Sequence, residues 1–138
     1  SLHLRVPRHC ENALRAAKFL ADHPKVSFMN HPSFEGDRYY ELTRKYLPGG
    51  SCGVVAFGVK GGKEPAEKFM SGLRRCIIAT HVSDARTCVL HPASSTHRQM
   101  NDAELEAAGI RPDFVRLSMG IESADDIIAD LEQALAQV

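Results

Sequence analysis

The stretch Phe114-Val115-Arg116-Leu117-Ser118-Met119-Gly120-Ile121-Glu122 sets Val115, Leu117 and Met119 in alternation with Arg116 and Ser118. A period of two belongs to a β-strand with one face in a core and the other toward something polar. Here the polar face carries a guanidinium. It stays charged at any working pH, and its planar fork matches two carboxylate oxygens held side by side. The chain must therefore build a sheet in which Arg116 meets water at the surface, an acid of its own chain, or a bound anion. Charged residues mostly take the first route, so the surrounding residues have to decide.

At 138 residues the chain fits one domain, long enough to bury roughly two thirds of its unfolded surface. Seventeen basic and seventeen acidic side chains cancel. No run of like charge suggests a nucleic-acid footprint or a polybasic membrane patch. Cys10, Cys52, Cys76 and Cys88 stand singly among apolar neighbours, without Cys-x-x-Cys. They read as buried free thiols of a reducing compartment. No apolar run approaches the ~18 residues of a membrane span, and the N-terminus has no signal-peptide core. A cytoplasmic protein is expected. The chain opens on Ser1-Leu2-His3-Leu4-Arg5 and runs at once into a helix, as expected of a piece of something longer.

Taken in order, Arg8 to Asp22 places Cys10, Ala13, Leu14, Ala17, Leu20 and Ala21 on one helical face, with Pro7 near the first turn. Lys25 to Met29 alternates as a short strand. Asp37 is placed to cap a helix through Tyr46, which Pro48-Gly49-Gly50 stops. Cys52 to Val59 is nearly all apolar and reads as a central strand covered on both faces. Gly61-Gly62 turns the chain, and Pro65 opens a helix to Arg74 with Ala66, Phe69, Met70 and Leu73 inward. Cys76 to Ala79 returns as a strand, a succession that permits a parallel crossover. Short strand Thr87 to Leu90 lies between two polar loops, Thr80 to Arg86 and His91 to Gln99. Asn101 with Glu104 predicts a capping box, and Ser123 with Asp126 caps a last helix burying Ile127, Ile128, Leu131 and Leu135. Five strands and about five helices make an α+β two-layer domain with a small mixed or antiparallel sheet.

Gly58-Val59-Lys60-Gly61-Gly62-Lys63 is not a phosphate loop, since Phe57 stands where the first glycine belongs and Glu64 where a magnesium-binding hydroxyl should be. His81, His91 and His97 lack metal-ligand spacing. His81, Ser83 and Asp84 are too close in one loop for serial hydrogen bonding as a triad. What survives is a cleft in which two loops from adjoining strand ends bring Thr96 and His97 toward Arg116. Those groups recognise an anion and a polar group; they hold no nucleophile or base that completes a reaction.

The segment His91-Pro92-Ala93-Ser94-Ser95-Thr96-His97, followed by Arg116-Leu117-Ser118-Met119-Gly120-Ile121-Glu122, resembles the C-terminal domain of the Cys/Met-metabolism family of pyridoxal-phosphate enzymes. That family includes cystathionine synthases and lyases, methionine gamma-lyase and the homoserine-ester sulfhydrylases. The likeness runs from Leu4-Arg5-Val6-Pro7-Arg8-His9 and Glu11-Asn12-Ala13, through Phe57-Gly58-Val59-Lys60-Gly61-Gly62, to Asp125-Asp126-Ile127. It implies that residues 1–138 are the small domain of a fold-type I transferase whose large, cofactor-binding domain is absent. In such a domain Arg116 binds the substrate's α-carboxylate, His81 and Val82 lie beside cofactor and substrate, and Thr96 lines the same site.

The lyase branch usually reads Ser-Leu-Gly-Gly where this chain has His81-Val82-Ser83-Asp84. Asp84-Ala85-Arg86-Thr87 with His91-Pro92-Ala93-Ser94 looks instead like O-acetylhomoserine sulfhydrylases, although those more often carry Asn where His81 stands. The resemblance implies pyridoxal 5'-phosphate held by a lysine of the missing N-terminal domain, because Lys18, Lys25, Lys45, Lys60, Lys63 and Lys68 lack the Ser/Thr-rich setting of that lysine. No catalytic, cofactor-binding or metal-binding residue is expected in this chain. The implied partners are O-acetylhomoserine, sulfide or methanethiol, the chain's own large domain and the other subunits of a homotetramer. The product would be homocysteine or methionine. O-succinylhomoserine sulfhydrylase, cystathionine gamma-synthase or lyase, methionine gamma-lyase and a non-catalytic ligand-binding module stay open.

Overall fold

A computed structural model describes residues Ser1–Val138. Strand β1 (Val26–Asn30) pairs with β2 (Val54–Val59), β2 with β5 (Phe114–Ser118) and β5 with β4 (Cys88–Leu90), all antiparallel; β3 (Ile77–Ile78) adds to β4 in parallel. The sheet order is β1-β2-β5-β4-β3. Helix α3 (Lys63–Gly72) therefore carries the chain from β2 to a strand of the same direction, with β5 and β4 lying between. Helices α1 (Leu2–Ala21), α3 and α5 (Ala124–Leu135) cover one face. Val55, Phe57 and Val59 from β2 with Val115 and Leu117 from β5 meet Ala13, Ala16, Ala17, Leu20, Phe69, Met70, Ile127, Leu131 and Leu135 in that layer. Phe57 and Phe69 meet edge to face at 5.6 Å, the arrangement ring quadrupoles favour. This is the two-layer α+β domain the patterning predicts.

The antiparallel register puts Arg116 beside Ala56 and Leu90, and Ser118 beside Val54 and Cys88. No helix covers this outer face of β2, so Val54 and Ala56 stay half-exposed. The expectation that β2 is covered on both faces is thus corrected: the apolar run marks a central strand, and only one side of it lies under helices. Helix α1 starts six residues ahead of the predicted Arg8 and holds Pro7 inside it. Its buried face also turns away from Ala21 to take in His9 and Asn12. The reason is polar. His9 Nδ1 donates to Met119 O at 2.5 Å, and Asn12 Nδ2 donates to the carbonyls of Gly120 and Glu122 at 2.9 Å.

Two predicted caps also change. Helix α2 runs over Tyr40–Tyr46, while the Asp37 carboxylate accepts the Tyr39 N–H one turn earlier. Ser123 precedes α5 without a side-chain bond to it. The capping box on α4 (Asp102–Ala107) forms in full, with Asn101 Oδ1 accepting the Glu104 N–H at 3.0 Å and Glu104 Oε2 accepting the Asn101 N–H at 2.8 Å. Cys76 and Cys88 are buried thiols, but Cys10 and Cys52 are only half-buried. No helix is long and apolar enough to cross a membrane.

Candidate functional site

Arg116 is half-buried on the outer sheet face. One terminal nitrogen donates to Thr80 O at 2.8 Å, and its Nε is buried with no hydrogen-bond partner. None of the chain's ion pairs involves it. Of the three fates for this guanidinium, pairing with an acid of its own chain is therefore not the one adopted. A half-buried cation with an unsatisfied N–H costs free energy until an acceptor arrives.

The loop from Thr80 to Arg86 is drawn across the end of β5 by a short network. Ser83 N donates to Ser118 Oγ at 3.1 Å and Ile121 N to Ala85 O at 2.9 Å. Glu122 accepts the Thr87 N–H at 2.6 Å and the Thr87 hydroxyl at 3.0 Å, while that hydroxyl accepts the Gly120 N–H at 2.9 Å. Gly120 is required here: a Cβ would lie 2.4 Å from Ala85 O and 2.6 Å from the Arg86 carbonyl carbon. Within the loop, hydrogen bonds from Arg86 hold the Asp84 carboxyl at about 2.

This latch sets His81 and Val82, both exposed, directly after the carbonyl that holds Arg116. Thr96 is placed differently. It is exposed in the loop that follows β4 and a single 3-10 turn over Pro92–Ser94, and its hydroxyl is paired with His97 Nδ1 at 2.9 Å. No hydrogen bond joins it to the Arg116 fork. His91 is buried and satisfied, bonded through Nε2 to Pro112 O and through Nδ1 to Ser94 Oγ, each at 2.8 Å. It anchors the loop and is not presented to a ligand.

A cavity of about 230 Å³ adjoins this loop, between α1 and the start of β2, lined among others by His9, Cys10, Cys52, Val82, Ser83 and Ser118. Sequence reading passes over it, because its walls come from four separate stretches of the chain. His9 and Glu122 belong to the motifs Leu4–His9 and Arg116–Glu122, but their hydrogen-bond roles arise only from tertiary contacts.

The outer sheet face therefore carries one half-buried guanidinium with no carboxylate of its own chain in ion-pair reach. The chain belongs to the family described as Cys/Met metabolism PLP-dependent enzymes, whose model matches residues 1–136. It is 44% identical to an O-acetyl-L-homoserine sulfhydrylase of Leptospira meyeri, covering 100% of this chain and 31% of that protein. It is 42% identical to a homocysteine synthase of Schizosaccharomyces pombe, over 98% of this chain and 32% of that protein. An L-methionine gamma-lyase of Fusobacterium nucleatum is 38% identical, with 98% of this chain and 34% of the lyase covered. A crystal structure of a Campylobacter jejuni protein assigned as an O-acetylhomoserine (thiol)-lyase, which carries N'-pyridoxyl-lysine-5'-monophosphate, superposes with a TM-score of 0.90 at 35% identity. That superposition covers 98% of this chain and 32% of the other. The chain thus spans about a third of the length of the relatives it matches.

The family's cofactor needs a lysine, and the lysines present do not fit its attachment. Lys18, Lys45, Lys60, Lys63 and Lys68 are exposed. Lys25 gives its ammonium to the carbonyls of Leu135 and Val138 at 3.1 and 2.6 Å.

Proposed function

We propose that residues 1–138 are the C-terminal, substrate-orienting domain of a PLP-dependent O-acetyl-L-homoserine sulfhydrylase, which combines O-acetylhomoserine with sulfide or methanethiol. The observation that carries this reading is the guanidinium of Arg116, half-buried on the open sheet face with a buried, unpartnered Nε and no carboxylate of its own chain. Its remaining N–H groups clamp the α-carboxylate and so fix the bond at the α-carbon in one orientation. Thr80 O holds the fork from behind, and His81 and Val82 border the substrate because they follow Thr80 in the latched loop. Thr96, exposed in the loop after β4, is the remaining side chain assigned to the substrate site. Bound pyridoxal phosphate, held by the large domain, supplies the electron sink. The most similar relatives named above support the sulfhydrylase assignment. A gamma-lyase is the second reading, favoured by the 38% identity to an enzyme of that name.

In the full-length protein, Arg116→Ala should cost about 2 to 5 kcal/mol in kcat/KM for O-acetylhomoserine, roughly thirtyfold to several thousandfold. Arg116→Lys should recover only part, since a point charge does not replace a planar fork. Unchanged kcat/KM in both variants removes the carboxylate clamp. Product analysis with sulfide and O-acetylhomoserine, against methionine alone, separates the sulfhydrylase from the lyase.

A further inference from the structure

The cavity between α1 and β2 holds chemistry that carboxylate recognition does not use. His9 is only 4% exposed and lines it. The His9 ring donates its Nδ1–H to Met119 O, which leaves Nε2 with a lone pair, and that atom is buried with no partner. A buried acceptor of this kind calls for a donor from a ligand. Cys10 and Cys52 line the same cavity.

Cys52 has a second histidine behind it. His31 is buried, and its Nδ1 accepts the Ser33 N–H at 3.3 Å, so its ring proton sits on Nε2. That Nε2 faces Cys52, 3.3 Å from its carbonyl oxygen and 3.9 Å from Sγ. The single Nε2–H is shared between that carbonyl and the sulfur, and its share toward Sγ favours the thiolate, the form that reacts. Burial pushes the Cys52 thiol up, yet the His31 contact, a backbone hydrogen bond at Val54 and the Ser51 hydroxyl outweigh it and leave the thiol below its ordinary value; in its protonated form Sγ donates to Val54 O at 3.4 Å. The other three are pushed up: Cys10 by burial and Cys52, Cys76 by burial and Asp130, Cys88 by burial and Asp84.

We propose that Cys52 is a peroxide-reactive modification site: a small hydroperoxide enters the cavity, donates a hydrogen bond to His9 Nε2 and is attacked at oxygen by Cys52 Sγ. The S–O bond forms as the O–O bond breaks. Sulfur is oxidised by two electrons to a sulfenic acid and the peroxide is reduced. With hydrogen peroxide the departing hydroxide takes up the thiol's proton and leaves as water. His31 positions and stabilises the thiolate; His9 positions the peroxide.

The test uses the full-length protein, hydrogen peroxide and dimedone, with peptide mass spectrometry reading each cysteine. Cys52 should be labelled at least about tenfold faster than Cys76 and Cys88. His31→Leu should slow both dimedone labelling and iodoacetamide alkylation of Cys52. His9→Leu should slow the peroxide reaction and leave alkylation unchanged. A wild-type Cys52 that reacts no faster than Cys76 and Cys88 overturns the proposal, and this ranking requires no variant to fold. Equal rates in wild type and His31→Leu overturn it as well, and a His9→Leu protein with an unaltered peroxide rate removes His9 from it. None of these readouts depends on sulfur-transfer activity, so the result is independent of the function proposed above.

Discussion

At the scale of single residues, the outer site depends on what cannot be placed near it. Arg116 stays free because no carboxylate comes within ion-pair reach, and the loop can lie over β5 because residue 120 has no side chain. Gly120→Ala should therefore destabilise the fold by about 1 to 3 kcal/mol through overpacking against the Ala85 and Arg86 backbone. Urea denaturation of the full-length protein measures this. A variant as stable as wild type means that the latch yields without loss. Glycine at that position looks unremarkable in the sequence; the contact that demands it comes from a loop about 35 residues earlier.

At the scale of elements, the joint between α3 and α5 shows how a polar side chain can organise two helices. Asp130, 3% exposed on α5, accepts the N–H groups of Arg74, Arg75 and Cys76 at 2.9, 2.8 and 2.8 Å. Its carboxylate satisfies the turn by which the chain leaves α3 for β3. Asp130→Ala should cost about 3 kcal/mol, because those donors lose a charged acceptor inside the protein. Thermal unfolding with Tm unchanged would contradict it. The pattern of α5 shows Ile127, Ile128, Leu131 and Leu135 as core residues; Ile127, Leu131 and Leu135 are, while Ile128 is only half-buried at the edge of that face. It cannot show that Asp130, on the same buried side, belongs there too, since the partners that make its burial tolerable lie some 55 residues away. The capping box of α4 is the opposite case. Its residues are three apart, so their pairing is legible without the tertiary structure.

At the scale of the whole molecule, two buried carboxylates link stability to pH. Burial pushes Asp113 up, but the Arg111 fork and the Ser27 hydroxyl bring it below its ordinary value. Burial likewise pushes Asp130 up, and the backbone N–H groups of Cys76, Arg75 and Arg74 more than reverse that. Both folded-state values lie under the unfolded one, roughly 3.9. Their contribution to stability is therefore complete above about pH 4 and is lost as pH falls through the lowered folded values. The urea midpoint should hold steady from about pH 7 to 5 and drop below about 4, and Asp130→Asn should weaken that drop. A midpoint that stays level to pH 3 would rule out this linkage.

By itself the amino-acid sequence determined the order of the elements, the core face of β5, and the presence of one arginine on the polar side of a strand. All of these are local periodicities of two or 3.6 residues, carried by the backbone geometry of each segment. Only the tertiary structure decided that Arg116 finds no acid of its own chain, that Glu122 and Thr87 latch a loop beside it, and that His9 and Cys52 line one cavity with His31 behind Cys52. Those outcomes depend on contacts between residues 20 to 110 positions apart. No local pattern encodes such pairings; they exist only when the sheet order and helix packing bring the partners together.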